Sequence, residues 1–293
     1  MVEERTLGSV LFDIFNYAFL AIVSLLCILP FVHILAVSLS GYFAVRGDFV
    51  TLWPIDFTTA NYEEIVRDAQ FRASFLISVA RALGGTAITL LITPLAAYPL
   101  SLERPGFPGQ QVAKVILILC MFFSGGLIPF YLVITGLGMT NTLWALILPG
   151  TANGFFIIIM LNYFRGLPRE ISEAAMIDGA SHLDILFRIY LPLSRPVLAT
   201  LALFSAVNHW NSWFDGILFM RDVSRMPLTS YLQMQIIAAT SQHLNPLVQQ
   251  KLQLTHRGLV SAQVFVALIP ILCVYPFLQR YFIHGLTLGS VKG

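Results

Sequence analysis

The sequence predicts an all-α integral membrane protein with six transmembrane helices and one organised polar loop between the fourth and the fifth. Of its 293 residues, 57% are hydrophobic and 11% are charged, and the mean hydropathy is +0.78. Soluble domains carry roughly a quarter charged residues, so this composition is typical of a membrane protein. Apolar segments also recur along the chain at about the 20 residues that cross a bilayer core of about 30 Å. We therefore expect residues 1–293 to form a single transmembrane domain.

Six apolar segments are long enough to span a bilayer. Each begins and ends at residues that hydropathy places only to within a few positions, and each is predicted as one helix. Two glycine pairs, Gly84-Gly85 and Gly125-Gly126, fall within these segments and are expected to permit close helix contact. The predicted spans are residues 12–39, 75–100, 112–134, 143–163, 196–219 and 259–281.

The distribution of basic residues in the short loops predicts the orientation. The loop Ser101–Gln111 carries Arg104, with Lys114 just beyond it, whereas Thr135–Thr142 has no charge. Basic residues favour the cytoplasmic side. Both termini and the polar loop 165–196 are therefore expected in the cytoplasm. On the opposite side, Leu228, Tyr231, Leu232 and Ile236 recur at helical spacing and predict a short amphipathic helix.

The polar loop 165–196 carries signals for two helices joined by a sharp turn. Leu167-Pro168 favours a helix start, and Gly179 favours a stop because glycine tolerates the left-handed conformation. Ser181, with Asp184 three residues on, predicts the cap of a second helix. Within the loop, Glu173-Ala174-Ala175 is followed by Gly179 and then by Ile189, Leu191 and Pro192. An ordinary amphipathic loop would explain the caps but not this full spacing.

This spacing resembles the EAA loop of the permease subunits of ATP-binding-cassette importers, Glu-Ala-Ala, three residues, Gly, nine residues, Ile-x-Leu-Pro. The stretch Phe122–Ser181 is similar to sugar permeases of the maltose-transporter type, most of all to a subgroup that handles oligosaccharides and polysaccharides. The resemblance implies that residues 165–196 are a coupling loop that contacts an ATPase. The residues it assigns to this coupling are Glu170, Glu173, Ala174, Ala175, Asp178, Gly179, Ile189, Leu191 and Pro192.

The same resemblance implies a multi-pass protein of the bacterial inner membrane that works as part of a heteromeric complex. This chain would form half of the translocation pore, and a second permease would form the other half. The further partners would be two ATPase subunits and an extracytoplasmic solute-binding protein that contacts the loop Met220–Gly258. ATP and magnesium would bind the ATPase, with no cofactor or metal in this chain. The implied cargo is an oligosaccharide or polysaccharide, with alginate or another uronate glycan as the candidate.

The fifth predicted span is unusually polar, and polar residues inside a span are candidates for function. Ser205, Asn208, Ser212 and Asp215 fall at helical spacing and predict one polar stripe. This stripe could line a translocation path for sugars, or it could bond to a partner helix while the tryptophans mark the membrane interface. Arg81 is expected to reach the headgroups, or to help attract the substrate if the substrate is anionic. The candidate path residues are Asn208, Trp210, Asn211, Ser212, Trp213 and Asp215.

Several other functions lack their chemistry in this sequence. A phosphate-binding loop needs a lysine after a glycine, and none of the three lysines (114, 251 and 292) follows one. No histidine and carboxylate cluster has metal-ligand spacing, so a membrane enzyme is not expected. The alternative function is a secondary transporter of a polar solute driven by an ion gradient, with Asp215 as its only candidate coupling carboxylate.

Overall fold

The structure is a computed structural model that describes residues 7–102, 108–240 and 257–274. Every regular element in these ranges is helical, as the sequence predicts. We number the helices in chain order. They are α1 Leu7–Ser38, α2 Tyr42–Arg46, α3 Ala60–Arg67, α4 Ala69–Ser101, α5 Gln110–Phe122, α6 Leu127–Gly136, α7 Leu143–Thr151, α8 Gly154–Arg165, α9 Arg169–Ile177, α10 His182–Leu193, α11 Arg195–Asn211, α12 Phe214–Phe219, α13 Leu228–Thr240 and α14 Arg257–Val274.

The chain divides into two compact units, one of Met1–Ala69 with Gln235–Leu268 and the other of Gln70–Met234 with Ile269–Gly293. The first unit has a small apolar core where the end of α1 meets α2 and the loop behind it. The second has a large core that joins the ends of α4 and α8 to α10 and α11. The prediction that residues 1–293 form one permease domain stays a prediction.

Within the described residues, three helices are long and apolar enough to cross a membrane. Three further pairs of helices reach the same length and hydropathy together but are bent at a short break. Length and composition therefore allow three spans, or up to six if each bent pair counts as one. The single helices are Gly8–Ser38, Ala69–Ser101 and Arg257–Val274, and the pairs are α5 with α6, α7 with α8, and α10 with α11.

The prediction of one continuous helix over 112–134 is wrong. Helix α5 ends at Phe122 and α6 begins at Leu127, with a bend of 115° between them. Gly126, at φ +82°, supplies the backbone conformation of the break, which residues with a Cβ rarely adopt. Gly125-Gly126 thus ends a helix instead of packing two helices together, because nothing lies within 4 Å of a Cβ built at Gly126.

The predicted helices over 143–163 and 196–219 are also interrupted. A bend of 43° separates α7 from α8, and the Asn153 side chain caps α8 by accepting hydrogen bonds from Phe155 N and Phe156 N, 3.0 and 3.3 Å away. Helix α11 ends at Asn211, and Ser212 is extended.

Of the predicted span 259–281, residues 275–281 lie outside the described residues. A helix is confirmed at the place of the predicted amphipathic one, as α13, but Ile236 of the predicted apolar face is exposed while Leu228 and Leu232 are buried.

Candidate functional site

The first half of the coupling loop is the nine-residue helix α9, Arg169–Ile177. Pro168 precedes it in the N-cap position with φ −59°, one residue before the first turn where the sequence placed it. Glu170 lies in the first turn, where the helix dipole stabilises a negative charge. Glu173 and Ala174 are exposed, while Ala175 is half-buried. The helix therefore presents an acidic and small-residue face to the outside.

A tight two-bond turn ends α9. Gly179 has φ +84°, Ala180 N donates to Ala175 O at 2.9 Å, and Gly179 N donates to Met176 O at 3.1 Å. This pair of bonds is the Schellman arrangement, which satisfies carbonyls that a helix end would otherwise leave open. Asp178 is the C-cap residue. The sequence-based prediction of a glycine turn after Asp178 is thus confirmed in its backbone geometry.

Helix α10 starts two residues later with a reciprocal cap. Asp184 N donates to Ser181 Oγ at 3.2 Å, and Ser181 N donates to Asp184 Oδ2 at 3.3 Å. The Ser181 hydroxyl, its backbone N–H and Arg188 all favour the ionised carboxylate, so the pKa of Asp184 lies below its usual range. Such a capping box fixes the entry of the helix. The two helices of the loop are consequently joined by a short and fully hydrogen-bonded turn.

The inner face of the coupling loop is anchored in the large core. Ile185 and Leu186 of α10 are buried, and the ring of Tyr190 packs edge-on against Tyr98 of α4 and Phe164 of α8, both at 5.2 Å between ring centroids. The predicted packing residues Ile189 and Leu191 lie against the same core. Pro192 is exposed and takes no part in it. One side of the loop is therefore continuous with the ends of two long helices.

The outer face of the coupling loop carries apolar side chains that the described residues leave exposed. Ile177 is 86% exposed and Leu183 is 61% exposed. They flank the Gly179 turn on its two sides, next to the exposed Glu173. Neither residue is among the sequence-predicted coupling residues. An isoleucine and a leucine in a polar loop could have indicated them, because exposed apolar groups mark contact surfaces.

The predicted polar stripe of residues 205–215 does not lie on one helix, and this prediction is wrong. Because α11 ends at Asn211 and the chain is extended at Ser212, the residues beyond the break leave the helical register. Asn208, Asn211 and Trp213 are exposed. Trp210 is buried and packs edge-on against Phe75 at 5.8 Å. The structure therefore separates Trp210 from the exposed side chains with which the sequence grouped it.

Asp215, at the start of α12, is paired with Arg81 of α4. Arg81 Nη1 donates to Asp215 Oδ1 at 3.1 Å, and Arg81 Nη2 donates to Asp215 Oδ2. Arg81 Nη1 also donates to the carbonyl oxygen of Ser212 at 2.9 Å. Because Arg81 is buried, the expectation that it reaches the headgroups is wrong. One guanidinium thus donates to a carbonyl at the end of α11 and compensates the negative charge at the start of α12.

His209 fills the space beside two glycines. A Cβ built at Gly85 would lie 2.4 Å from His209 Nε2, and one built at Gly150 would lie 3.3 Å from His209 Cε1. The imidazole is buried. This contact confirms the predicted close approach at Gly84-Gly85 and gives His209 a packing position between α4 and α7.

No group of three or more histidine, cysteine, aspartate or glutamate side chains in the described part of the chain could hold a metal ion. The three cysteines, Cys27, Cys120 and Cys273, are free. The described residues form a surface loop packed against the helices and a set of polar groups at the break between α11 and α12.

Long apolar helices, some broken, with a capped two-helix loop fixed to their ends define a helical membrane component of a transport system. The chain belongs to the family of binding-protein-dependent transport system inner membrane components, which residues 77–287 match. Membership of this family decides against the secondary transporter driven by an ion gradient.

The chain is similar to two proteins of Bacillus subtilis (strain 168) over nearly its whole length. It is 39% identical to Protein LplC over 99% of this chain and 98% of that protein. It is 37% identical to the polygalacturonan/rhamnogalacturonan transport system permease protein YtcP, over 97% of this chain and 99% of YtcP. Among solved structures it is similar to a chain of a bacterial ABC transporter involved in the import of the acidic polysaccharide alginate. That match has 31% identity and a TM-score of 0.84, and it covers 95% of this chain and 99% of the other.

Proposed function

We propose that this chain is the permease subunit of an ATP-driven importer of oligosaccharides or polysaccharides, and that its coupling loop, residues 165–196, receives the motion of a separate ATPase. The observation that carries the proposal is the two-sided coupling loop. Its inner face, with Ile185 and Leu186, is buried in the core, while its outer face exposes Ile177 and Leu183. A surface loop of this kind can bind a partner on one side and move helices on the other.

The exposed face has the composition of a protein contact. Apolar side chains at the centre with charged groups around them are typical of a contact surface, and Ile177 and Leu183 are flanked by Glu170 and Glu173. Ala174 allows a partner to approach the backbone of α9 closely. We assign Glu173 to a polar contact with the ATPase and Ile177 to the apolar centre of that contact. ATP and magnesium belong to the ATPase subunit.

In this proposal the chain makes six spans, namely the three long helices, α5 with α6, α7 with α8, and α11 with α12. Helix α10 belongs to the coupling loop, which lies in the cytoplasm together with both termini. Two such permease subunits, this one and a second, form the pore, and two ATPase subunits bind their coupling loops. The family is described as part of binding-protein-dependent transport systems. We assign the segment Met220–Gly258 to the contact with the binding protein. Helix α13 lies within that segment, and residues 241–256 of the segment lie outside the described residues.

The proposed cargo is a polysaccharide rich in uronic acid. YtcP is named for polygalacturonan and rhamnogalacturonan, and the similar solved chain belongs to an importer of the acidic polysaccharide alginate. These polymers share carboxylated sugar rings. Asn208, Asn211 and Trp213 are exposed in the single chain, and amides and a tryptophan face suit sugar hydroxyls and rings. We assign the translocation path to these three, because Trp210 is buried and Asp215 is paired.

The variant Ile177→Asp tests the coupling surface. Burying an isoleucine contributes about 1.5–3 kcal/mol, so placing a charge there should weaken ATPase binding by at least about tenfold. Leu137→Asp is the matched control, because Leu137 is a comparably exposed apolar residue after α6. The measurement is the ATPase that co-purifies with the chain, together with ATP hydrolysis stimulated by a binding protein loaded with a polyuronate.

Equal loss in Ile177→Asp and in Leu137→Asp would mean that the coupling surface is misassigned. The cargo is tested separately on the unmodified complex. Stimulation by the polyuronate-loaded binding protein, compared with the same protein offered a neutral oligosaccharide, should favour the polyuronate. Stimulation by the neutral sugar alone would contradict the cargo and leave the coupling result intact.

A further inference from the structure

The segment that follows α1 exposes four large aromatic side chains. Trp53 is 81% exposed, and the other three are exposed to a similar degree. Large apolar side chains exposed together in one segment are typical of a contact surface or a membrane contact. We refer to these four residues as the aromatic patch, which is Phe43, Phe49, Trp53 and Phe57.

The aromatic patch is held by a well-packed segment. Gly41 N donates to Ile55 O at 3.0 Å, and Thr58 N donates to Leu39 O at 2.9 Å, so the segment begins and ends at the same place on α1. Its small aliphatic side chains point inward. The buried cluster on this inner side consists of Ala36, Val37, Ala44, Val45 and Val50.

Aliphatic and aromatic side chains therefore lie on opposite sides of this segment. The aliphatic residues fill the contact with α1, while the aromatic residues stay outside. If this core needed more buried apolar area, burying the phenylalanines would stabilise it most, because they bury the largest area. The aromatic patch is thus suited to contact with an apolar environment outside this core.

The segment lies beside the last turns of α1 and not beyond its end. His33 Nδ1 donates to the carbonyl oxygen of Thr51 at 2.6 Å. His33 comes five residues before Ser38, which at the helical rise corresponds to about 8 Å along the axis. The chain consequently turns back toward the middle of α1 before it reaches Trp53.

This depth coincides with the expected edge of the hydrocarbon core. Between Asp13 and His33, helix α1 has no charged residue, and these 19 intervening residues span about 28 Å at the helical rise. A second candidate span is tied to the same segment, because Arg257 Nη1, at the start of α14, donates to Asp48 Oδ1 at 2.7 Å. Two span ends thus meet at the segment that carries the aromatic patch.

We propose that the aromatic patch inserts into the headgroup and upper acyl region of the bilayer and fixes the depth of α1. Tryptophan and other large aromatic side chains are enriched at this level, where an apolar ring can be buried while its polar edge stays hydrated. Arg46 lies beside Tyr42, with Nη1 3.3 Å from the hydroxyl oxygen, and can extend its charge to lipid phosphates. The proposal goes beyond the transport function and holds for any cargo.

Fluorine NMR of the complete transporter, labelled with fluorotryptophan and reconstituted with its co-purifying subunits in lipid nanodiscs, tests the insertion. The chain has four tryptophans, and Trp53→Phe assigns the signal of Trp53 by its loss. Lipids carrying a nitroxide near the carbonyl end of the acyl chain should remove most of that signal. Lipids with a nitroxide at the methyl end should remove less, and a water-soluble gadolinium chelate should have little effect.

Trp210, buried in the chain, is the internal reference. A Trp53 signal that the gadolinium chelate broadens and that neither lipid nitroxide affects would show that the aromatic patch faces water, which overturns the proposal. A signal protected from all three probes would show that a protein partner covers the aromatic patch, and this result also overturns it.

Discussion

Removing either member of the Arg81–Asp215 pair is expected to destabilise the protein strongly, and removing both is expected to cost less than removing one. The side chains of Arg81 and Asp215 are only 3% and 21% exposed. Breaking a buried pair on one side leaves an uncompensated charge, at about 3–5 kcal/mol. In a membrane protein the lower end applies, because unfolded chains in a bilayer also find polar partners. We therefore expect about 3 kcal/mol for each single variant.

The two single variants are not equivalent, because Asp215 has other partners. Ser212 Oγ and Gly216 N each donate to Asp215 Oδ1 at 3.0 Å. In Arg81→Met the carboxylate keeps both of these donors. In Asp215→Leu the buried guanidinium keeps only the Ser212 carbonyl. Asp215→Leu should therefore be the more destabilising of the two.

The double variant Arg81→Met/Asp215→Leu leaves no buried charge, and apolar replacement of a buried pair is often nearly neutral. Thermal unfolding of the purified complex, followed by the loss of its monodisperse peak, measures the effect. About 3 kcal/mol corresponds to a shift of about 6–12 °C for a domain of this size. Single variants that shift the midpoint by less than about 2 °C, or a double variant with the summed shift, would refute the reasoning.

Two further predictions concern packing and capping. Gly85→Ala should cost about 1–3 kcal/mol, because its Cβ would meet His209, whereas Gly8→Ala, with nothing within 4 Å, should leave the thermal midpoint unchanged. Ser181→Ala should reduce the pH step in the hydrogen exchange of α10, while the Ser181 backbone N–H and Arg188 still favour the ionised Asp184. Because the folded pKa of Asp184 is lowered, its capping stabilisation is present above the ordinary carboxyl pKa and is lost as the pH falls through the lowered one; a step of unchanged size in Ser181→Ala would contradict this.

The coupling loop could be predicted from sequence because its signals are local. A glycine after Asp178 and a serine three residues before Asp184 fix their own backbone geometry through bonds to near neighbours. The structure has these bonds between residues at most five apart. Physical rules for single turns were therefore sufficient.

The breaks in the spans and the polar pair could not be predicted in this way. Gly126 and Ser212 lie in segments that satisfy the length and hydropathy test for a span, and hydropathy does not register a change of backbone direction. Arg81 and Asp215 are 134 residues apart, so only the packing of α4 against α12 brings them together. The sequence identified Asp215 as unusual and left open whether it lines a path or bonds to another helix, and the structure pairs it with Arg81 of α4.

The packing of the coupling loop has a mechanical consequence. Ile185, Leu186 and Tyr190 share one close-packed core with Tyr98 and Phe164. Interiors at this density transmit displacement because they have no free volume to absorb it. A force on the exposed turn of the coupling loop should therefore move the ends of α4 and α8 together with it. The break at Ser212, between α11 and α12, contacts the same α4, because Arg81 Nη1 donates to the Ser212 carbonyl oxygen. We infer that α4 connects the proposed ATPase contact with this polar junction, so that a displacement of the coupling loop would reach the buried pair.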